Sequence, residues 1–373
     1  MTTTQPNPPP AEAFPVGEYL LDELEARGWS IAEFAEILGR PAQAVSEIIN
    51  GHKEITRETA SEIAAATRTS AETWLRLQDA HLLWSAAAKP QTKLSAVRQR
   101  AQLASLVPLR ELTRRGFLPK GDVAAQERAL RSLFGVESLD QPPRWSLAAR
   151  RTGTVGELSA AQTAWVGVVR WMAARTPSRP YDRGSLVELG QGLARSLKKP
   201  ADLTGLVERL SSVGVRLVHV AKFDGGKIDG VAFTDDRGPV IGISGRIGRF
   251  DSVVFTLLHE IAHVVLGHVD ASITLDVDLG ANDESGTEQE ANTRAGIWMF
   301  PQGVDLGAPL SRARVEVWAQ QAGVHPSLVV GRLQSEGRLP WSHLRGLVPD
   351  VRSPLEAWSA DLIRQAQETH FGA

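Results

Sequence analysis

The chain has 373 residues, 42% hydrophobic and 23% charged, the balance of an ordinary globular protein divided into about two to four domains. Cysteine is absent, which excludes disulfides, thiolate zinc sites and a cysteine nucleophile, and leaves any metal to His, Asp or Glu. The net charge of −2 conceals an alternation: 6 Lys/Arg against 12 Asp/Glu over residues 15–88, 20 against 8 over 89–200, and 15 against 22 over 201–373.

Residues 1–14 read as a polar, Pro-rich disordered tail. They lack a basic stretch leading into an apolar core, and no later run approaches the roughly 18 apolar residues that span a bilayer. A cytoplasmic protein with no membrane partner is expected. Residues 15–88 read as an all-α domain of short amphipathic helices. Gly28 closes the first, and Ser30 with Glu33 forms a capping box that opens the second. Gly39 ends that helix, Pro41 sits where a first-turn proline is tolerated, and Asn50-Gly51 ends the next. Two helices joined by a short Gly-containing turn make a helix-turn-helix candidate. In that reading Gln43, Ser46 and Asn50 would face bases or backbone, and Arg40 and Lys53 would face phosphate. The acidic balance of this segment and Glu47 within the helix point the other way, to a protein-interaction module of the same fold.

Residues 89–202 read as a basic helical connector, broken at Gly116, Gly121, Pro142-Pro143 and 177–180. Its positive surplus would contact nucleic acid, dock on the acidic flanks, or simply be solvated. From residue 203 the period changes. A strand is expected over 215–220 and a hairpin over 228–234 and 239–244, turning at Asp235-Asp236-Arg237-Gly238. Two helices follow, one opened by Ser252 and one by Thr287. Residues 203–305 are taken as one domain and 306–373 as a C-terminal helical segment. The expected fold class is α+β and multidomain.

The chemistry concentrates in His259-Glu260-Ile261-Ala262-His263. Two imidazoles at i and i+4 lie about 40° apart on a helix, so both reach one ion. Glu260 beside them can take a proton from a water that the metal activates. A catalytic zinc needs a third protein ligand. His268 comes too early for an extended His motif, and on a continuing helix it would face away from His259, whereas a helix that stops at Gly267 would leave it near the site. Glu288, at the start of the next helix, is the better candidate, with Asn292 one turn on to hydrogen-bond a ligand histidine and Glu290 pointing elsewhere. The plainer reading of Glu288, a solvated first-turn carboxylate, stays open. The expected cofactor is one Zn2+ per chain, held by His259, His263 and Glu288.

These residues resemble the ImmA/IrrE metallopeptidases, whose HE-[LI]-[AGS]-H and E-x-[EQ]-A-[ND] motifs match 259–263 and 288–292 in order and spacing, with 297–301 (Ile-Trp-Met-Phe-Pro) as the family's apolar-to-Pro ending. Arg294 stands where that family has Phe, and Trp298 and Phe300 are bulkier than usual. Residues 17–84 are similar to the HigA-type branch of the XRE helix-turn-helix family, through 17–20, 45–51 and 74–78. The resemblance implies a zincin-like core of helices on a small mixed sheet. It also implies a gluzincin-like zinc metallo-endopeptidase, with Glu260 as general base and then acid. The implied substrate is a protein, an XRE-type repressor or antitoxin, cleaved in a stress or mobile-element response, and the N-terminal domain would take DNA as a further partner. By analogy of fold, 240–244 would be a sheet edge that aligns a peptide. The sequence leaves open Mn2+ in place of Zn2+ in the cell, a homodimer, and a DNA-binding transcriptional regulator or antitoxin whose metal only senses or stabilises.

Overall fold

In a computed structural model the described residues are 12–87, 92–141, 143, 145, 149–151, 158–269, 273–277, 286–307 and 309–371. The chain divides into two compact units, 1–97 and 98–373. The first unit holds helices α1 (Val16–Arg27), α2 (Ile31–Leu38), α3 (Ala42–Ile49), α4 (Arg57–Thr67) and α5 (Ala71–Ala87). The division falls inside α6 (Thr92–Leu106).

The punctuation of the first unit follows its sequence. Gly28 and Gly39 adopt left-handed φ of 68° and 64° and end α1 and α2. The Ser30 and Glu33 capping box is fully formed, and Thr56 caps α4. Leu20, Leu24, Phe34, Val45, Ile48, Ile63 and Trp74 form the core. A side chain at Gly17 would strike the Ile49 carbonyl, so α1 crosses the end of α3 only with glycine there. The buried Gln78 amide accepts from the Ile55 N–H and donates to the Ile55 carbonyl, which fixes the α3–α4 loop on α5.

The second unit continues with α7 (Leu109–Arg114), α8 (Val123–Phe134), β1 (Ala149–Arg151), α9 (Ala160–Ala173), α10 (Arg183–Ser196), α11 (Leu206–Ser212), β2 (Arg216–His219), β3 (Ile228–Asp235) and β4 (Gly238–Ile243). Next come α12 (Phe250–Leu266), β5 (Ile273–Val277), α13 (Gly286–Met299), α14 (Arg312–Ala322), α15 (Pro326–Ser335) and α16 (Arg352–Phe371). The strands form one mixed sheet in the order β1-β5-β3-β4-β2. β3 and β4 are the expected hairpin, with Asp235 opposite Gly238. β2 pairs parallel with β4, and β5 antiparallel with β3.

Both faces of the sheet are covered, so β2 is buried at every position and β3 at its first six. On one face α9 approaches β4 through Gly242, where a Cβ would press on Val169. Arg170 of α9 lies 4.9 Å over the Phe233 ring, and Trp165 Nε1 donates to the Val220 carbonyl at 2.7 Å. On the other face α12 lies against β3 and β4.

Two expectations change here. The stretch 89–202 is more than a connector, because α9 is a buried layer of the sheet and residues 98–373 form one unit. The segment 240–244 is not an edge: β4 has β3 on one side and β2 on the other, so its backbone is already paired. Among the described residues no helix is long and apolar enough to cross a membrane.

Candidate functional site

α12 is apolar nearly all round because the sheet, α10, α13 and α15 enclose it. Fully buried on it are His259, Glu260 and His263. α13 packs against this helix with Ala291 and Ala295, small residues that allow a close approach. That approach carries Glu288, from the first turn of α13, inward to 4% exposure. The solvated first-turn reading of Glu288 therefore does not describe this fold.

His259, His263 and Glu288 converge, with one ligand atom from each lying within 4.8 Å of the others. The two Nε2 atoms are 2.9 Å apart. Glu288 reaches them with Oε2 at 3.2 Å from His259 and Oε1 at 3.4 Å from His263. A tetrahedral ion with bonds of ~2.0–2.1 Å holds its donors about 3.3 Å apart. Two imidazoles and a carboxylate at this spacing fit a divalent ion in both donor type and distance. Burial would raise the Glu288 carboxyl, but hydrogen bonding to the His259 and His263 imidazoles outweighs it and holds the group well below its ordinary value.

Glu260 lies on the sheet side of the same helix. Its carboxylate occupies the space where a side chain at Gly230 of β3 would otherwise project, with Thr256 beside it. β3 has a register irregularity between Ile228 and Gly230, the mark of a bulge. The bulge is clamped: Arg246 donates to both Asp229 oxygens at 2.8 Å, and Ser244 Oγ donates to the Ile228 carbonyl at 2.6 Å. A small pocket lined by Asp229, Ile243, Arg246, Ile247, Val253 and Thr256 opens one turn before Glu260.

Asn292, expected behind a ligand histidine, is half-buried on α13, and no described hydrogen bond joins it to His259 or His263. His268 holds that place instead. α12 stops at Gly267, whose left-handed φ of 77° turns the chain back, and the His268 N–H donates to the His263 carbonyl at 3.0 Å. The His268 ring then lies with Nδ1 3.0 Å from His263 Nδ1, and with Nε2 3.2 Å from Glu290 Oε2. Of the two courses open to His268, the helix stops at Gly267 and the ring lies beside the site, while Glu290, mostly exposed, stays outside the three convergent side chains. Burial, with His263 beside it, pushes the His268 imidazole below its ordinary pKa.

In the first unit α2 and α3 are the two helices of the motif, joined through Gly39 and Pro41. Gln43 on α3, Asn50 at its C-cap and Lys53 beyond it are exposed, and Ser46 is half-exposed. Gln43 Nε2 donates to Glu47 at 3.2 Å and Asn50 Nδ2 to Ser46 Oγ at 3.2 Å. Arg40 is committed elsewhere. Its guanidinium donates to both Glu62 oxygens on α4, which holds each of the two groups in its charged form. It thus ties the turn to α4.

A family model described as "Helix-turn-helix" matches residues 20–74. Among solved structures, a Pseudomonas aeruginosa protein in complex with its 18-base-pair operator DNA is 30% identical, the match covering 21% of this chain and 88% of that one with a TM-score of 0.21. An addiction module antidote protein of a HigA family from Coxiella burnetii is 34% identical, covering 22% of this chain and 92% of that one with a TM-score of 0.22. Comparison with curated proteins returns no match. Residues 20–74 of the chain are an N-terminal helix-turn-helix domain of the XRE family.

Proposed function

We propose that this chain is a DNA-binding transcriptional regulator of the antitoxin type whose second unit holds one zinc ion at His259, His263 and Glu288. The observation that carries the first half is the helix-turn-helix match over 20–74, with Gln43 exposed on its second helix and Asn50 exposed at that helix's end. Such side chains enter the major groove and read base edges. The acidic balance of 15–88 and the engagement of Arg40 with Glu62 leave few groups for phosphate, so DNA binding depends on recognition-helix contacts more than on charge. The second half rests on two imidazoles and a carboxylate whose donor atoms have the separations a tetrahedral ion needs.

A second reading, in which the same centre hydrolyses a peptide bond of an XRE-type repressor or antitoxin, is favoured by Glu260. This carboxylate neighbours His259 in sequence, is fully buried, and has β3 kept clear of it by Gly230. Zinc bound at such a site polarises a carbonyl and lowers the pKa of water. Glu260 would then take a proton from the attacking water and pass it to the leaving amine.

One experiment separates the two. Wild type, Glu260→Gln and His259→Ala are each co-expressed with a neighbouring XRE-type regulator, and both regulator cleavage and reporter repression are read. The regulator reading predicts no cleavage, with repression unchanged by Glu260→Gln and lost with His259→Ala. The peptidase reading predicts cleavage by wild type that falls by about 10²–10⁴-fold in Glu260→Gln.

A further inference from the structure

We propose that His268 and Glu290 are positioning residues that fix the tautomer and orientation of His263, and thereby raise the affinity of the centre for its metal. The inference rests on the metal-binding reading above and goes beyond it by assigning work to two residues outside the ligand set. Both depend on local geometry. Gly267 ends α12 and folds His268 back onto the preceding turn, where its backbone N–H is held by the His263 carbonyl. The helix whose first turn supplies Glu288, α13, supplies Glu290 two residues later.

The three groups form a line running outward from the site: His263, then His268 at 3.0 Å between Nδ1 atoms, then Glu290 at 3.2 Å from His268 Nε2. One arrangement of protons satisfies the whole line. His263 Nε2 faces His259 and Glu288 and must be unprotonated to ligate, so its proton sits on Nδ1. That N–H donates to His268 Nδ1. His268 must then carry its own proton on Nε2, and that N–H donates to the Glu290 carboxylate. The ring of His263 is held in the ligating tautomer before an ion arrives, and the carboxylate at the end of the line increases the basicity of Nε2. The side chain of His268 is only 10% exposed, so water does not readily replace it; that of Glu290 is 66% exposed and is the weaker member.

The test is the zinc dissociation constant of the full chain, measured by competition with a chelator, for wild type, His268→Ala, His268→Gln and Glu290→Gln. His268→Ala is expected to bind zinc about 10–100-fold more weakly. His268→Gln, whose amide oxygen still accepts from His263, recovers most of that loss, and Glu290→Gln costs less than His268→Ala. Ring-nitrogen NMR of the wild-type zinc-loaded chain is expected to show His263 protonated at Nδ1 and His268 protonated at Nε2, a readout that requires no variant to fold. Wild-type affinity in His268→Ala, or a proton on His268 Nδ1, overturns the proposal while leaving the metal site standing. A wild-type chain that binds no zinc overturns the metal reading itself and the proposal with it.

Discussion

Glu260 and Gly230 are 30 positions apart, yet each sets a condition on the other. A methyl group at 230 would overlap the Glu260 carboxylate and crowd Thr256. Gly230→Ala should therefore displace Glu260, lower the stability of the second unit by about 1–3 kcal/mol as overpacking does, and leave zinc content unchanged, since the ligands lie on α12 and α13. Urea unfolding and metal analysis of the same preparation check this, and an unchanged unfolding midpoint would count against it. His259, Glu260, His263 and Glu288 were legible in the sequence because helical spacing alone puts the two histidines on one face, and because a carboxylate near the start of the following helix was within reach. Gly230 was not legible, since its requirement exists only once α12 lies on β3. The place of His268 hung on where α12 ends. A glycine at a helix C-terminus is a stop signal, and the stop at Gly267 sets His268 beside His263, a pairing that spacing alone does not show.

At the scale of elements, the first unit followed its punctuation closely. Gly28, Ser30, Glu33 and Gly39 act through neighbours within a few residues, so the sequence displays both cause and effect. Arg40 does not, because its partner Glu62 is 22 residues away on α4. Arg40→Ala should consequently destabilise the first unit and leave the salt dependence of DNA binding nearly unchanged. Asn50→Ala or Gln43→Ala should cost about 1–3 kcal/mol of specific binding, whereas Lys53→Ala should reduce the salt slope by about 1. Anisotropy titrations of operator DNA across a salt series, with thermal unfolding of each variant, distinguish these outcomes. A steep loss of salt slope in Arg40→Ala would return that residue to the phosphate backbone. The sheet shows the same limit of locality. The β3–β4 hairpin was legible from its turn, but β2 skips its sequence neighbour β3 to pair with β4, and β5 joins the far side of β3. The β2 pairing takes β4 from the edge to the interior and rules it out as a strand that receives a peptide, and the β5 pairing does the same for β3.

At the scale of the molecule, part of the positive surplus between 89 and 200 is engaged within the second unit. Arg115 donates to the carbonyls of Ala221 and Lys222 at 2.6 Å, Arg183 to Val265 at 2.8 Å, and Lys198 to Gly323. Arg170 and Arg175 lie over the rings of Phe233 and Trp171. The alternation of charge thus describes in part how 98–202 is fastened to the later sheet and helices. The Arg183 bond bears on the site directly, since it holds a carbonyl near the end of the helix that presents His259 and His263. With the scaffold fixed in this way, the account turns on whether the three convergent side chains hold an ion. The decisive measurement is the metal content of the purified full chain beside His259→Ala and Glu288→Ala, each equilibrated with zinc and then dialysed. The account predicts one zinc retained per wild-type chain and its loss from both variants; a wild-type chain with far less than one zinc, or a Glu288→Ala chain that holds it as firmly, would contradict it.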